Sequence, residues 1–364
     1  MNILYINRGM GVGGVEKCII ELTRLFMNDN KIVVASMGGE LVKELMDMGI
    51  KHYKIINTDS KNILDILRNV KIINKIVKEE KINIIHSHHR MTTLLAKVVS
   101  KITKVQIIHT QHLCIDDKFK FTKMTLEGVS IITVSNGAKE ALVNKCDLDE
   151  SRITTIYNTV NIENADEEID KILLKLKAEN RFVIAQISRL VDYKGVYDFL
   201  NIAKSINKEG SNIRFILIGD GEEKENIRNF IKKNALDDFV FILGNKDNVI
   251  NQLKYINLVL LCSYIEGLPL TPLEAFSQGV PVIATNIPGT KEEIENGING
   301  YLVEMKDIDG FKEKIMNIYQ NKEKYIMMKK RCVEIFNRKF NSEIYFNSHL
   351  DVYKANLKNS RFMK

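Results

Sequence analysis

Short apolar runs and amphipathic stretches alternate along this 364-residue chain, and the pattern runs through twice. Segments 2–7, 31–37, 52–57, 83–88, 105–111, 130–135 and 153–157 read as strands, with helical periodicity between them, for example at 15–28 and 61–80. The pattern lapses over the acidic, polar stretch 161–180. It restarts at 182–188, 213–219, 239–244, 258–262, 281–284 and 300–303, and the chain reads as helical after 305. Strands that alternate with helices form parallel sheets covered on both faces. The expectation is therefore an α/β protein with two Rossmann-like, doubly wound parallel-sheet domains, 1–162 and 181–339, joined by a linker at 163–180. Open sheets of this kind bind ligands at the carboxyl ends of their strands, so both domains are expected to face a central cleft.

Composition narrows the class. A chain that is 45% hydrophobic and 27% charged is globular, and no stretch approaches the uninterrupted apolar length of a membrane span. The start, Met1-Asn-Ile-Leu-Tyr-Ile-Asn7, reads as a first strand and not as a secretory leader, which sets a cytoplasmic expectation. Cys18, Cys114, Cys146, Cys262 and Cys332 are scattered without metal-binding spacing and are expected as reduced thiols. The net charge of +7 is too mild for a nucleic-acid binder. Residues 1–165 carry 23 Lys+Arg against 18 Asp+Glu, so the amino-terminal half is the basic one. An anionic surface or acceptor is compatible with that half.

The chemistry concentrates at 263–285. Glu266, seven intervening residues and Glu274 place one carboxylate at a strand end and another about a turn into the following helix. All four prolines (269, 272, 281 and 288) fall within twenty residues around this pair and stiffen it. Helix-start amides favour phosphate, and carboxylates accept hydrogen bonds from hydroxyls. Phosphate at one end and sugar hydroxyls at the other describe a nucleotide sugar. Arg189 and Lys194 lie in the loop after the first strand of the second half, where two cations suit a pyrophosphate.

In the first half, Gly9, Gly11 and Gly14 satisfy G-x-G-x-x-G. The second strand ends Ala35-Ser-Met-Gly-Gly39, without the acidic residue that would hold a ribose, which argues against a nicotinamide cofactor. Histidines end two strands, in Ile84-Ile-His-Ser-His-His-Arg90 and Ile107-Ile-His-Thr-Gln-His-Leu113. His86 is expected to pack and His88 and His89 to lie near the rim, with His112 in direct ligand contact. No carboxylate or cysteine completes a metal set at a recognisable spacing. Leu217-Ile-Gly-Asp-Gly-Glu-Glu223 reads as a strand, a glycine turn and a helix start capped by Asp220.

Together these pieces resemble the retaining glycosyltransferases of family 4, which have the GT-B architecture. The resemblance rests on Gly13-Gly14-Val-Glu-Lys, the strand ending at His112, Val134-Ser-Asn, Ile156-Tyr-Asn-Thr-Val-Asn, Arg189 with Lys194-Gly195, Gly219-Asp-Gly, and Glu266-Gly-Leu-Pro with Glu274-Ala. Gly279-Val-Pro-Val-Ile-Ala-Thr, Pro288-Gly and Gly297-Ile-Asn-Gly-Tyr-Leu-Val complete it. It implies an acceptor domain followed by a nucleotide-sugar domain, with a terminal helix, 340–364, returning to the first. It implies that Arg189 and Lys194 neutralise the diphosphate, Glu274 holds the ribose, and Glu266 contacts donor-sugar hydroxyls. The amides of Gly267, Leu268 and Leu270 would lie nearby, His112 would touch the donor sugar, and Gly13 and Gly14 would let a loop approach the diphosphate or acceptor. The family uses no metal ion, and no cofactor is implied beyond the nucleotide sugar as co-substrate, a UDP-sugar above all. The activity expected is transfer of a hexose-type sugar to a hydroxyl acceptor, glycan or lipid-linked, in surface polysaccharide, capsule or glycolipid assembly.

Basic and apolar residues mix over 97–124, where Lys97, Lys101 and Lys104 share a helical face and Lys118-Phe-Lys-Phe-Thr-Lys123 follows. This segment suggests peripheral contact with an anionic membrane, set against a solvated helix packed on its own sheet. Two other functions remain open at this level: a non-catalytic partner subunit of an active transferase, and a GT-B sugar-nucleotide epimerase. The pyridoxal-binding lysine context of a glycan phosphorylase is not found.

Overall fold

A computed structural model describes residues 1–60, 62–162, 168–207, 211–246 and 249–362. The chain forms two compact units, Met1–Thr159 with Ser342–Lys364, and Val160–Asn341. Of the expected linker, 163–167 lie outside the described residues. Lys171–Ala178 is a helix with Leu173 and Leu176 buried, started by the Asp170 carboxylate accepting the Ile172 amide at 2.9 Å.

The first unit holds seven strands: β1 (Asn2–Ile6), β2 (Lys31–Ser36), β3 (Lys51–Lys54), β4 (Ile84–Ser87), β5 (Gln106–Gln111), β6 (Ser130–Thr133) and β7 (Ile153–Thr155). Their order across the sheet is β3-β2-β1-β4-β5-β6-β7, and every ladder is parallel. Side chains alternate across a strand, so one run feeds two cores. Ile3 and Tyr5 pack with Ile19, Phe26 and Val34 on one face, while Leu4 and Ile6 pack with Val33, Ile73 and Leu95 on the other. This two-sided burial explains why the strands read as continuous Val/Ile runs. The last helix, Ser342–Phe362, belongs to this unit. Its Tyr345 and Tyr353 are buried in the first core, and Phe26 lies 4.6 Å from Phe346 and 5.1 Å from Tyr353, ring centre to ring centre.

The second unit holds β8 (Phe182–Ile187), β9 (Ile213–Ile218), β10 (Val240–Gly244), β11 (Leu258–Leu261), β12 (Val282–Thr285) and β13 (Gly300–Val303). The order is β10-β9-β8-β11-β12-β13, again with all ladders parallel. In each sheet the chain works outward one way from its first strand and then returns to that strand's other side. The first strand therefore neighbours the fourth at a topological switch point, β1 beside β4 and β8 beside β11. Loops at the carboxyl ends of such a pair diverge and leave room for a ligand. The β8 loop carries Arg189 and Lys194, and the β11 loop carries Glu266.

Candidate functional site

In the second unit, sheet order brings residues 72 positions apart together. The Lys194 ammonium donates to Glu266 Oε1 at 2.6 Å, and both side chains are largely buried, 18% and 8% exposed. Lys194 ends a short turn, Asp192–Lys194, and Gly195 follows at φ +65°, in the left-handed region. A β-carbon at Gly195 would lie 2.0 Å from the Cys262 carbonyl oxygen, so only glycine lets this turn lie against the chain leaving β11. The buried Gln186 amide donates to the Lys194 carbonyl at 2.8 Å and ties the turn to β8.

Arg189 reaches Lys194 through a residue that strand-end reasoning passed over. Its guanidinium donates to the Tyr193 hydroxyl. The guanidinium and the Lys194 ammonium each lie 5.7 Å from the Tyr193 ring centre. The signal was available in the sequence, since Tyr193 is four residues from Arg189 and adjacent to Lys194.

Gly267 and Leu268 are buried beyond Glu266, and Leu270 opens the helix Leu270–Ser277. Pro269 stands at the N-cap and supplies no side-chain acceptor to the first-turn amides. Thr271 donates its hydroxyl to the Ile187 carbonyl at 3.1 Å and anchors the helix start at the end of β8. Glu274 is buried on this helix. Its neighbourhood is close-packed: a β-carbon at Gly289 would stand 2.5 Å from the Gly267 carbonyl oxygen, so Pro288–Lys291 presses on the Glu266–Gly267 turn.

A third carboxyl lies beyond that contact. Glu293 is fully buried, and neither carboxyl oxygen has a hydrogen-bond partner among the described residues. Burial pushes its carboxyl well above the ordinary 4.5, and Glu266 and Glu292 add to the shift against a smaller opposing effect of Lys339. Nothing in the Lys291-Glu-Glu-Ile294 run distinguishes it from a surface charge; only the packing does.

In the first unit, His86 packs in the sheet as expected, its Nδ1 2.8 Å from the Tyr353 hydroxyl and its Nε2 2.7 Å from the Thr110 hydroxyl. His88 departs from the expectation of a rim position. It is buried, with its ring beside Tyr5 and stacked between His86 and His112. His89 lies partly buried and caps the helix Arg90–Thr103. His112, one residue past β5, is partly buried with its Nε2 3.0 Å from His88 Nδ1. Burial, followed by His349, pushes His112 down to about 3, so it is neutral at physiological pH.

Gly13 and Gly14 stand at the start of the helix Gly14–Phe26. The Glu16 carboxylate folds back over Gly13, where a β-carbon would meet its Oε2 at 2.4 Å, and Asn7 donates to its Oε1 at 3.1 Å. This helix start thus already faces a carboxylate. Among the described residues no group of three or more His, Cys, Asp or Glu side chains is arranged to hold a metal ion.

Expected basic residues of 97–124 are partly engaged. Lys97 donates to the carbonyls of Met124 and Glu127 at 2.8 and 3.0 Å, and Lys123 pairs with Asp147 at 2.6 Å. Lys104 terminates the helix in a left-handed conformation. Val98, Lys101, Ile102 and Met124 are exposed. Among the described residues no helix is long and apolar enough to cross a membrane.

Residues 12–164 match the family described as Glycosyltransferase Family 4, and residues 165–333 match Glycosyl transferases group 1. A UDP-Gal:alpha-D-GlcNAc-diphosphoundecaprenol alpha-1,3-galactosyltransferase of Escherichia coli is 30% identical over 274 residues, 70% of this chain and 71% of that protein. An N-acetyl-alpha-D-glucosaminyl L-malate synthase of Bacillus anthracis is 27% identical over 292 residues, 77% and 76% of the two chains. Among solved structures, Anabaena HepE in complex with UDP superposes with a TM-score of 0.86 at 19% identity, covering 98% of this chain and 100% of that one. Two parallel Rossmann-like sheets of seven and six strands, with family models matching residues 12–333 and a relative 30% identical over 70% of the chain, make the chain a GT-B glycosyltransferase belonging to family 4.

Proposed function

We propose that the protein is a retaining, metal-independent transferase that moves a hexose-type sugar from a UDP-sugar to a hydroxyl acceptor in surface polysaccharide, capsule or glycolipid assembly. The observation that carries this reading is the Lys194–Glu266 pair beside the start of the helix bearing Glu274. Support for the donor and a lipid-linked acceptor comes from the Escherichia coli relative, named for UDP-Gal and a diphosphoundecaprenol-linked sugar, and from the UDP complex of HepE.

In this reading Arg189 and Lys194 take the diphosphate, assisted by the amides of Gly267, Leu268 and Leu270. Glu274 accepts from the ribose hydroxyls and Glu266 from hydroxyls of the donor sugar. His112 in the first unit contacts the donor sugar. The Glu16 carboxylate over Gly13 suits an acceptor's hydroxyls better than a phosphate, which supports reading the Gly13–Gly14 loop on the acceptor side.

The rate follows from charge development. As the anomeric C–O bond breaks, negative charge grows on the departing diphosphate, and prepositioned cations and amides stabilise it without reorganising. The acceptor oxygen bonds to the anomeric carbon on the face the diphosphate leaves, and the acceptor proton passes to a departing phosphate oxygen. Configuration is thereby kept without a covalent sugar–enzyme intermediate. In this reading phosphate binding draws Lys194 away from Glu266, which frees that carboxylate for the sugar hydroxyls. Coupling of this kind links donor recognition to assembly of the site.

A second contact is proposed at the exposed Val98, Lys101, Ile102 and Met124, where apolar side chains and a cation lie together as in peripheral membrane binding. The location implied is the cytoplasmic side of the membrane.

The test is transfer from a panel of nucleotide sugars to hydroxyl acceptors, with and without a chelator, reading the product anomer by proton NMR. Retained configuration, unaffected by chelation, is expected. Inversion, loss of activity on chelation, or an altered nucleotide sugar released without acceptor would contradict the reading.

A further inference from the structure

The first unit buries a run of imidazoles that the proposed chemistry leaves unexplained. His86 and His88 stack with ring centres 4.5 Å apart and planes 25° from parallel; His88 and His112 continue the stack at 5.3 Å and 27°. His349, from the last helix, lies 6.1 Å from His86 and donates its Nδ1–H to the Tyr345 carbonyl at 2.9 Å. His109, from β5, lies within 2.8 Å of the Thr93 hydroxyl.

The contact between His88 Nδ1 and His112 Nε2, at 3.0 Å, holds a single proton. A neutral imidazole carries one N–H and one bare nitrogen, so the owner of that proton fixes the tautomer of both rings. If His112 were the donor, His88 would carry its proton on Nε2. That atom is buried and has no hydrogen-bond partner among the described residues. A buried orphan N–H is rare and costs on the order of 1–3 kcal/mol, whereas an under-satisfied acceptor is tolerated more often. The proton therefore belongs on His88 Nδ1, donated to His112 Nε2. A second proton is opposed on His88 by burial and by the imidazoles of His86, His112, His109 and His349, and on His112 by burial and by His349.

We propose that His88 is a positioning residue that fixes His112 as the Nδ1–H tautomer, so that His112 serves the transfer as a hydrogen-bond donor and never as a base. The proposal rests on the assignment of His112 to the donor sugar. Its Nε2 lone pair is taken by His88 and its Nδ1 carries the proton, which leaves no lone pair to accept the acceptor's proton. That proton must go elsewhere, consistent with its passage to the departing diphosphate.

The test is nitrogen-15 NMR of the wild-type protein with labelled histidine, the His112 signals being identified by their loss in His112→Ala. His112 is expected to show a protonated Nδ1 and a bare Nε2, unchanged from pH 5.5 to 8. A proton on Nε2, or titration near the ordinary 6.5, would overturn the proposal. In the variants, His88→Phe keeps the stack but loses the donor, and His88→Asn can replace the Nδ1–H with an amide. His88→Phe should move the His112 proton to Nε2 and lower kcat by about 10²-fold with UDP affinity unchanged, the loss that small misplacements can cause. His88→Asn should restore most of both. Unchanged kcat in a folded His88→Phe protein would overturn the proposal. Full transfer by His112→Ala would overturn the His112 assignment as well; loss of transfer there, with His112 found protonated on Nε2, would overturn the tautomer proposal alone.

Discussion

The Lys194 ammonium and the Glu266 carboxylate, from loops after neighbouring strands β8 and β11, meet at 2.6 Å with both side chains largely out of water. In the proposed reading each holds the other until a ligand with its own phosphate and hydroxyls competes for both, which makes the pair a preassembled donor site.

Lys194→Ala removes the cation placed to meet the leaving diphosphate. It should lower kcat by at least about 10²–10³-fold, the usual effect of losing one such group. Circular dichroism should show the fold retained, with a lowered melting temperature because the buried Glu266 carboxylate loses its cation. Near-normal turnover in steady-state assays would contradict the assignment.

Glu293→Gln should stabilise the protein, increasingly so at higher pH. Burial raises the folded-state value of the wild-type carboxyl above the ordinary 4.5. Below 4.5 both folded and unfolded states hold the proton and no penalty applies. As pH rises above 4.5 the unfolded state ionises first, so wild-type stability is lost until the folded value is passed. Denaturant melts of wild type and variant between pH 5 and 8 should diverge; a constant difference would contradict a buried, protonated Glu293.

Tyr353→Ala should destabilise the first unit by about 3–5 kcal/mol, as for other large aromatic truncations. Tyr353 is fully buried against Phe26 and its hydroxyl meets His86 Nδ1 at 2.8 Å. Tyr353→Phe, which keeps the ring but leaves buried His86 Nδ1 without its partner, should cost less, about 1–3 kcal/mol. Chemical denaturation followed by far-ultraviolet circular dichroism separates the two.

Lys101→Glu with Ile102→Ser should abolish any preference for anionic over neutral vesicles in co-sedimentation at low salt, while leaving transfer to a soluble acceptor unchanged. The preference itself must be present in the wild type. Its absence would end the membrane proposal.

The fold was legible because both faces of each sheet are covered: Ile3 to Ile6 and Val183 to Ile187 have no solvent face to interrupt their apolar runs. The third strand was the weakest reading, expected over 52–57 and found at Lys51–Lys54, because a short edge strand with no buried residue carries a fainter pattern. Glu266, Glu274, Arg189 and Lys194 could be singled out by their positions at strand ends and helix starts. Their partners could not. The pairing of Lys194 with Glu266 depends on β8 lying beside β11, a consequence of strand order and not of local spacing. His88 read as a rim residue because its burial depends on contacts with Tyr5, His86 and His112 that sheet order brings together. Glu293 could not be singled out, because its full burial is a matter of packing and not of the local sequence.

The most direct test of the donor site is a crystal structure of the protein soaked with UDP. The account predicts the diphosphate on Lys194, Arg189 and the amides at the start of Leu270–Ser277, with the ribose hydroxyls on Glu274 and the Lys194–Glu266 contact opened. A nucleotide bound elsewhere, or bound with that contact intact and Glu274 turned away from the ribose, would contradict it.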